Sequence, residues 1–550
     1  MKINKIILAV LLLLIPSLSF SQIWNQVGAD IDGEAANDGS GNSVSLSADG
    51  TIVAIGAKGN NSSNGHTRVY QVSLGSWNQI GSDIDGPTFE NAGASVSLSA
   101  DGLTLAVGSP FGSTFNGLVR IYQFIAGTWS QVGSDIDGTV NGGVSGSSVA
   151  LSADGLTVAI GAEGANSSVG LVQVYELISG TWTQVGSDIN GEANGDSSGR
   201  SISLSNDGSI VAIGAPNNNS GTGHVRVYEN ISTVWTQIGV DIDGETTGDQ
   251  SGGAVCLNGS GSILAIGATS NNSGIGHVRV YENNSGTWSQ VGVDIDGVSS
   301  GEYFGTSVSL DNDGNTIVIG ANELASTQTG LTRVYKNVSG SWSQLGSDIV
   351  AEAVADESGE SVSISSDGLT VAIGAISNDD NGSGAGQVRV YNFFCADIAT
   401  TNINGTVTSS ATGATYQWLD CDNAYSVIVG ETSQSFIATN TGNFAVEVTQ
   451  NSCTDTSLCV NATVAGVNDN EKNIVSVYPN PTKELINIEF GNSQGFVNYT
   501  LTSIEGRVIE QKQNVTDKVI SIDLSNENMG IYLLTIDNNS SINTFKIVRK

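Results

Sequence analysis

Seven tryptophans, Trp24, Trp77, Trp129, Trp182, Trp235, Trp288 and Trp342, recur 52 to 54 residues apart, each inside a W-x-Q-(V/I/L)-G phrase. A fixed period of this length means that one supersecondary unit is repeated and that each unit buries its apolar surface against its neighbours. An alternating segment such as SVSLSADG (43–50) is followed by an apolar run such as IVAIGA (52–57). A third segment such as HVRVYEN (224–230) comes next, and then the Trp phrase. Period-two alternation predicts strands with one buried face, whereas IVAIGA, apolar on both faces, predicts a strand covered on both sides. The S-x-D-G and S-G-T-W phrases supply the Gly and Asp that tight hairpins require. The chain is therefore expected to be all-β, with four strands per unit.

The repeats open on the Trp strand at Trp24 and close on a third strand, Gln387 to Tyr391, that lacks its own Trp phrase. If the N-terminal strand completes the last unit, residues 22–394 close into a seven-bladed β-propeller, and closure removes the edges that would otherwise invite aggregation. The phrase S-G-x-S-V-S-L-S-x-D-G-x-x-V-A-I-G-A followed by G-x-V-R-V-Y resembles the FG-GAP repeats of integrin-α-type propellers, and Phe304 and Gly305 supply the literal FG pair. Members of that family that bind calcium do so through an Asp-rich loop between the first two strands of a blade. Here that place holds only the short S-x-D-G turn.

The two ends carry different information. Met1 to Lys5 and the apolar run Ile6 to Ile15 read as a signal peptide over residues 1–21, with cleavage after Ser21, the run being too short to span a bilayer. No later stretch approaches about 18 consecutive apolar residues, so no transmembrane segment is expected. Beyond Phe394 the repeat stops and Cys395, Cys421, Cys453 and Cys459 follow, in a segment (395–466) that resembles the Ig-like modules of secreted flavobacterial proteins. Four cysteines allow three pairings, and Trp418 is expected in the module's core. Cys256 stands where most repeats have Ser and is expected to be a buried, inert thiol. After a linker (467–473), residues 474–550 contain VYPNPTKELINIEF, YTLTSIEGRVI, GIYLLTID and TFKIVRK. These phrases resemble the type A sorting domain of the Bacteroidetes type IX secretion system. That resemblance implies Sec export, recognition by the secretion machinery at the outer membrane, and a mature form at the cell surface or released from it.

The formal charge of −35, on a chain of which only 13% is charged, reflects a scarcity of Lys and Arg. It excludes nucleic acid as a partner, because phosphate neutralisation needs a basic face. Each Trp strand leads into a loop of the form D-I-D-G-E-x-x-x-D, complete as Asp30, Asp32, Glu34 and Asp38 and as Asp241, Asp243, Glu245 and Asp249, with Asp188, Asn190, Glu192 and Asp196 as a third candidate. Oxygens at alternate positions of a curved loop suit Ca²⁺, although a standard calcium loop has its Gly at position six. The competing expectation is an Asp-stabilised turn. His66, His224 and His277 share one repeat position before the third strand, which separates them around the ring and suits structural filling. Arg68, Arg120, Arg226, Arg279, Arg333 and Arg389 also recur in register. The aromatic exceptions to the repeat are Phe89, Phe111, Phe115 and Tyr303. The acidic loops and the Asn/Ser/Gly loops should emerge on one face, where a ligand is expected. No unrepeated acid, base or nucleophile cluster is present, so the expected function is noncatalytic binding or adhesion to a glycan, matrix or protein ligand. The alternatives are a hydrolase of surface polymers and a structural surface-layer component.

Overall fold

The computed structural model describes residues 23–322, 329–394, 400–403, 405–411, 413–450, 453–463, 475–490, 497–537 and 542–550. The expected signal peptide, Cys395 and the 467–473 linker lie outside the described residues. The chain divides into two compact units. One comprises Met1–Asn402, Val407–Phe436 and Asn443–Asn461, the other Ile403–Thr406, Ile437–Gly442 and Ala462–Lys550.

Among the described residues the first unit contains seven five-stranded antiparallel sheets of the same order, arranged as propeller-like blades. In one of them Ser95–Leu98, Thr104–Ser109, Leu118–Ile125 and Thr128–Gln131 lie side by side, as the alternation predicts. The fifth strand, Ile136–Asp137, is one that the alternation does not predict. It is the I-D of the D-I-D-G phrase, and it pairs with the first half of the third strand while the Trp strand takes the second half. Its Ile is buried in every copy (Ile31, Ile84, Ile136, Ile189, Ile242, Ile295 and Ile349), so the phrase is a short strand with one side chain in the core.

The N-terminal strand Ile23–Gln26 pairs with Gln387–Phe394 and so completes the sheet of the last repeat. Two circles of hydrogen bonds run through the repeats and close on themselves. In the first, backbone N–H groups donate from 48 to the carbonyl of 100, then 100 to 153, 153 to 206, 206 to 259, 259 to 312, 312 to 366 and 366 back to 48, at 2.8–3.1 Å. In the second, each Trp indole donates to a carbonyl of the preceding repeat, for example Trp77 to Val27 at 2.8 Å, and Trp24 closes the series by donating to Leu345 at 2.8 Å.

Between consecutive sheets lies an apolar layer. Ile52, Ala54 and Val69 of one sheet pack on Val96, Leu98, Leu105, Val107 and Trp129 of the next, and the last sheet meets the first through Ala372, Val388 and Val390 against Val44, Leu46, Val53 and Ile55. Each fully buried Val, Leu or Ile contributes about 1.5–3 kcal/mol relative to exposure. The Gly of IVAIGA is required by this approach: a Cβ on Gly108 would lie 2.1 Å from the Gly146 carbonyl oxygen of the next sheet. Ser side chains of the first strand accept backbone N–H groups across the same gap, as Ser45 does from Leu98 at 3.0 Å. Cys256 takes that role in its repeat, accepting from Leu310 N–H at 3.3 Å. It is a free, half-buried residue whose thiol is pushed up by burial.

In the small module Trp418 is fully buried and stacks on Phe436, with ring centroids 5.4 Å apart, and a disulfide joins Cys421 to Cys459. The second unit includes two sheets, one of Val475–Tyr478, Leu485–Phe490 and Val519–Asp523, the other of Val497–Ser503, Val508–Val515, Gly530–Asp537 and Ile542–Arg549. Ile486, Ile488, Ile520 and Ile522 from the first share one core with Tyr499, Leu501, Leu534 and Ile536 from the second.

Closure puts the N-terminal strand in the last sheet, with Trp24 in the apolar layer it shares with the sheet before it, and every other interface depends on that junction staying closed. Trp24→Ala is expected to cost about 3–5 kcal/mol, the usual loss for a buried Trp, and to lower the melting temperature of all seven sheets together. An unchanged melting temperature would show the N-terminal strand to be dispensable. In the S-x-D-G turns, burial raises the pKa of the Asp49 and Asp207 carboxyls. Hydrogen bonds from Ser47 and Thr51, and from Ser205 and Ser209, outweigh it and hold both below the ordinary 3.8. Their contribution to stability is therefore complete above pH 3.8 and is lost as the pH falls below it. Asp49→Asn with Asp207→Asn should lower the urea midpoint above pH 3.8 and match the wild type well below it. A difference that persists in acid would assign the effect to something other than the carboxylates.

Candidate functional site

The D-I-D-G-E-x-x-x-D loops do not gather their four acidic positions into one shell. The first Asp has one oxygen tied to the Gln of the Trp strand, as in Gln26 to Asp30 and Gln237 to Asp241 at 2.6 and 2.7 Å, and Gln184 to Asp188 at 2.8 Å. The ninth position is buried and turned into the chain. Asp38, Asp196 and Asp249 each accept a backbone N–H three residues earlier at 2.8–2.9 Å. Each also accepts a side-chain amide from the Asn/Ser/Gly loop, from Asn60, Asn218 and Asn271 at 3.1–3.2 Å. These bonds place the acidic and the Asn/Ser/Gly loops at the same end of the sheets. At the third position Asp32, Asn190 and Asp243 are strand residues whose backbone carbonyls accept from Arg68, Arg226 and Arg279 at 2.8 Å. Burial, then the nearby Asp30, Asp380 and Glu352, push the Asp32 carboxyl up.

What the fold does bring together are residues of successive repeats. Glu34, His66 and Asp83 form one group, Glu192, His224 and Asp241 a second, and Glu245, His277 and Asp294 a third, with the potential ligand atoms of each within 4.8 Å of one another. Asp30, Glu352 and Asp380 form a fourth group without a histidine. Of the residues expected from the loop spacing, Asp30, Glu34, Glu192, Asp241 and Glu245 enter these groups; Asp32, Asp38, Asp188, Asn190, Asp196, Asp243 and Asp249 do not. Asp83, Asp294, Glu352, Asp380 and the three histidines are additions that the spacing within one loop could not show. The available signal was a correlation between repeats: His before (V/T)-R-V-Y occurs only where the preceding loop carries Glu at position five.

Where the histidine is Leu, the arrangement changes. In the sheets of Leu118 and Leu331 the preceding loop carries its Glu later, and the Arg bridges both acids directly. Arg120 contacts Glu90 and Asp135 at 2.7 and 2.9 Å, and Arg333 contacts Glu302 and, at 3.1 Å, Asp348. In the histidine-bearing sheets the Arg instead lies over the Tyr two residues on and reaches the Glu only at 3.6–3.9 Å. The histidines are 1–2% exposed. Burial holds their pKa below the ordinary 6.5, assisted by the adjacent Arg and opposed by the two acids.

Two further features mark this end. Phe111 and Phe115 make an edge-to-face pair with ring centroids 5.9 Å apart, and the Phe111 N–H donates to the carbonyl of Glu90, next to Phe89. Phe89 and Phe115 are 65% and 63% exposed and hold φ of 60° and 69°, a region that bulky residues rarely occupy. Nearby repeats form a polar depression of about 440 Å³ whose lining includes Tyr303, the Glu163–Arg200 ion pair and Glu360.

Residues 476–550 match the family described as the secretion system C-terminal sorting domain. The chain is thus a secreted protein directed to type IX secretion, with the secretion machinery as a partner and the cell surface or the extracellular space as its destination. Among the described residues no helix is long and apolar enough to cross a membrane. No curated protein matches the chain. Among solved structures, a hydrazine synthase of Kuenenia stuttgartiensis aligns at a TM-score of 0.42 and 14% identity, over 64% of this chain and 94% of that one. A candidate 6-phosphogluconolactonase of Bacteroides uniformis aligns at 0.42 and 13% identity, over 57% and 87%. Likeness at this level carries no argument about activity.

The two arginine arrangements predict different costs. Glu302 is 1% exposed, so Arg333→Met leaves a buried carboxylate uncompensated and should cost about 3–5 kcal/mol. Glu245 is 46% exposed and keeps its water, so Arg279→Met should cost only about 1–2 kcal/mol, mainly the hydrogen bond to the Asp243 carbonyl. Urea unfolding of the two variants checks this, and equal losses would refute the distinction.

Proposed function

We propose that this protein is a noncatalytic carbohydrate-binding component of the cell surface, in which the seven sheets are the blades of a propeller of the FG-GAP kind. In this reading residues 395–466 are an Ig-like spacer and residues 474–550 the sorting domain. The observation that carries the proposal is the phenylalanine group at the acidic-loop end. Keeping Phe89 and Phe115 in solvent on left-handed backbone costs conformational energy, and such strain persists where the surrounding structure and a function hold it. Exposed aromatic faces beside a polar rim suit the apolar faces of sugar rings, and the neighbouring acids supply acceptors for sugar hydroxyls. Sorting to the surface through the C-terminal domain puts that end in contact with external polymers.

The test is binding of the mature protein to an array of immobilised glycans. Wild type should bind a defined glycan class, and Phe89→Ser with Phe111→Ser and Phe115→Ser should weaken it. An aromatic hot spot contributes about 2 kcal/mol or more, about thirtyfold in Kd at about 1.4 kcal/mol per tenfold. Unchanged affinity in the triple variant, or no glycan binding by the wild type, would overturn the proposal.

A further inference from the structure

We propose that Glu34–His66–Asp83, Glu192–His224–Asp241 and Glu245–His277–Asp294 are three equivalent sites for a borderline divalent cation of the Zn²⁺ type. Each site offers one imidazole nitrogen and two carboxylate oxygens from three different segments of the chain. His66 Nδ1 lies 3.8 Å from Glu34 Oε2 and 3.8 Å from Asp83 Oδ2; His224 Nδ1 lies 3.9 and 3.6 Å from Glu192 Oε2 and Asp241 Oδ2; His277 Nδ1 lies 3.7 Å from Asp294 Oδ2. These separations are too long for hydrogen bonds, and the Nε2 atoms of His66 and His277 are buried without a partner. It is Nδ1 of each deeply buried ring, and not Nε2, that faces the acids, at distances beyond hydrogen bonding. Ligand bonds of about 2.0–2.2 Å to a tetrahedral Zn²⁺ bring ligand atoms to about 3.3 Å from one another. Half-exposed Glu side chains can make that small contraction.

The remaining carboxylate oxygens face outer partners. In every copy one oxygen of each carboxylate is turned to an outer partner, while the other faces the imidazole or lies within reach of it. Asp83, Asp241 and Asp294 receive Gln79, Gln237 and Gln290 on Oδ1 at 2.6–2.7 Å and present Oδ2 to the histidine. The Glu residues face Arg68, Arg226 and Arg279 with Oε1, at 3.6–3.9 Å. Outer partners that orient ligating carboxylates in this way are a regular property of metal sites.

The protein carries its own controls. Where Leu118 and Leu331 replace the histidine, the paired acids are neutralised by direct contacts with Arg120 and Arg333. Where Gln387 replaces it, the amide donates to Glu352 at 3.2 Å. In three repeats an imidazole stands between open acids, while the group Asp30, Glu352 and Asp380 lacks a histidine and so offers oxygen ligands alone. A donor set of one nitrogen and two oxygens suits Zn²⁺ or a neighbouring transition metal. Ca²⁺ and Mg²⁺ take oxygen ligands, and the ninth-position carboxylates that could complete an oxygen shell are occupied elsewhere.

The experiment is equilibrium dialysis of the EDTA-treated mature protein against Zn²⁺, in the presence of excess Ca²⁺, followed by metal analysis. Wild type should bind three more Zn²⁺ per chain than His66→Leu/His224→Leu/His277→Leu, and each single His→Leu variant should lose one. Leu occupies this position in three native repeats, at Leu118, Leu171 and Leu331, so these variants are expected to fold. Asp83→Asn, Asp241→Asn and Asp294→Asn, which keep the Gln contact but remove the charge, should weaken the corresponding site at least tenfold. Equal Zn²⁺ in wild type and the triple His variant, or displacement of the bound Zn²⁺ by Ca²⁺, would overturn the assignment. The sites do not depend on the carbohydrate reading, and neither result bears on it.

Discussion

Closure of the repeat is the constraint from which the rest of the first unit follows. The second strand of every sheet is apolar on both faces, so no sheet can bury its surface alone, and each interface needs a neighbour on either side. The interfaces are tight. A Gly at the end of the second strand lets the next sheet's backbone approach to a distance that any side chain would block, and Gly374 against the Gly41 carbonyl repeats at the junction of last and first sheets what Gly108 does against Gly146. The N-terminal strand sits in the last sheet because only there does its Trp find both a third strand to pair with and a preceding repeat whose carbonyl it can bond. The free thiol of Cys256 fits the same logic, its sulfur replacing a hydroxyl as acceptor across the gap.

Closure also fixes the chemistry at the acidic-loop end. Each third strand begins beside the short I-D strand of the following loop and close to the Glu of the preceding one, so one residue position stands between acids from two repeats. The protein fills that position in three ways. Leu118 and Leu331 leave the acids to the Arg two residues on, Leu171 is followed by Gln173, which bonds Asp188, Gln387 bonds one acid directly, and His holds a neutral ring between them. In the His and Gln sheets the Arg lies at a backbone carbonyl and over the face of a Tyr. A single substitution thus redistributes several charged groups, and the local electrostatics differ between sheets whose backbones are nearly the same.

Much of this architecture is legible in the order of the residues. The Trp period, the two-sided apolar run and the missing last Trp phrase identify the strands, their partners and the N-terminal contribution to the last sheet, because alternation and hairpin signals act over a few residues. The core position of Trp418 and the sorting tail are legible for the same reason, as local phrases. The I-D strand is not, because two residues are too few to show a period, and the disulfide partner of Cys421 is one of several open pairings. The acidic loops suggest ligands spaced along one segment, yet Asp38, Asp196 and Asp249 turn inward to cap their own turns.

By itself the amino-acid sequence determined the repeated unit, its strand content and the address carried at the C-terminus, since each depends on residues that are neighbours in the chain. Only the tertiary structure decided which acids meet which histidines. Glu34, His66 and Asp83 belong to different loops and strands: pairing of the I-D strand with the third strand sets Asp83 beside His66, and the packing of one sheet against the next, with its backbone-to-backbone contact at glycine, brings Glu34 within reach of both.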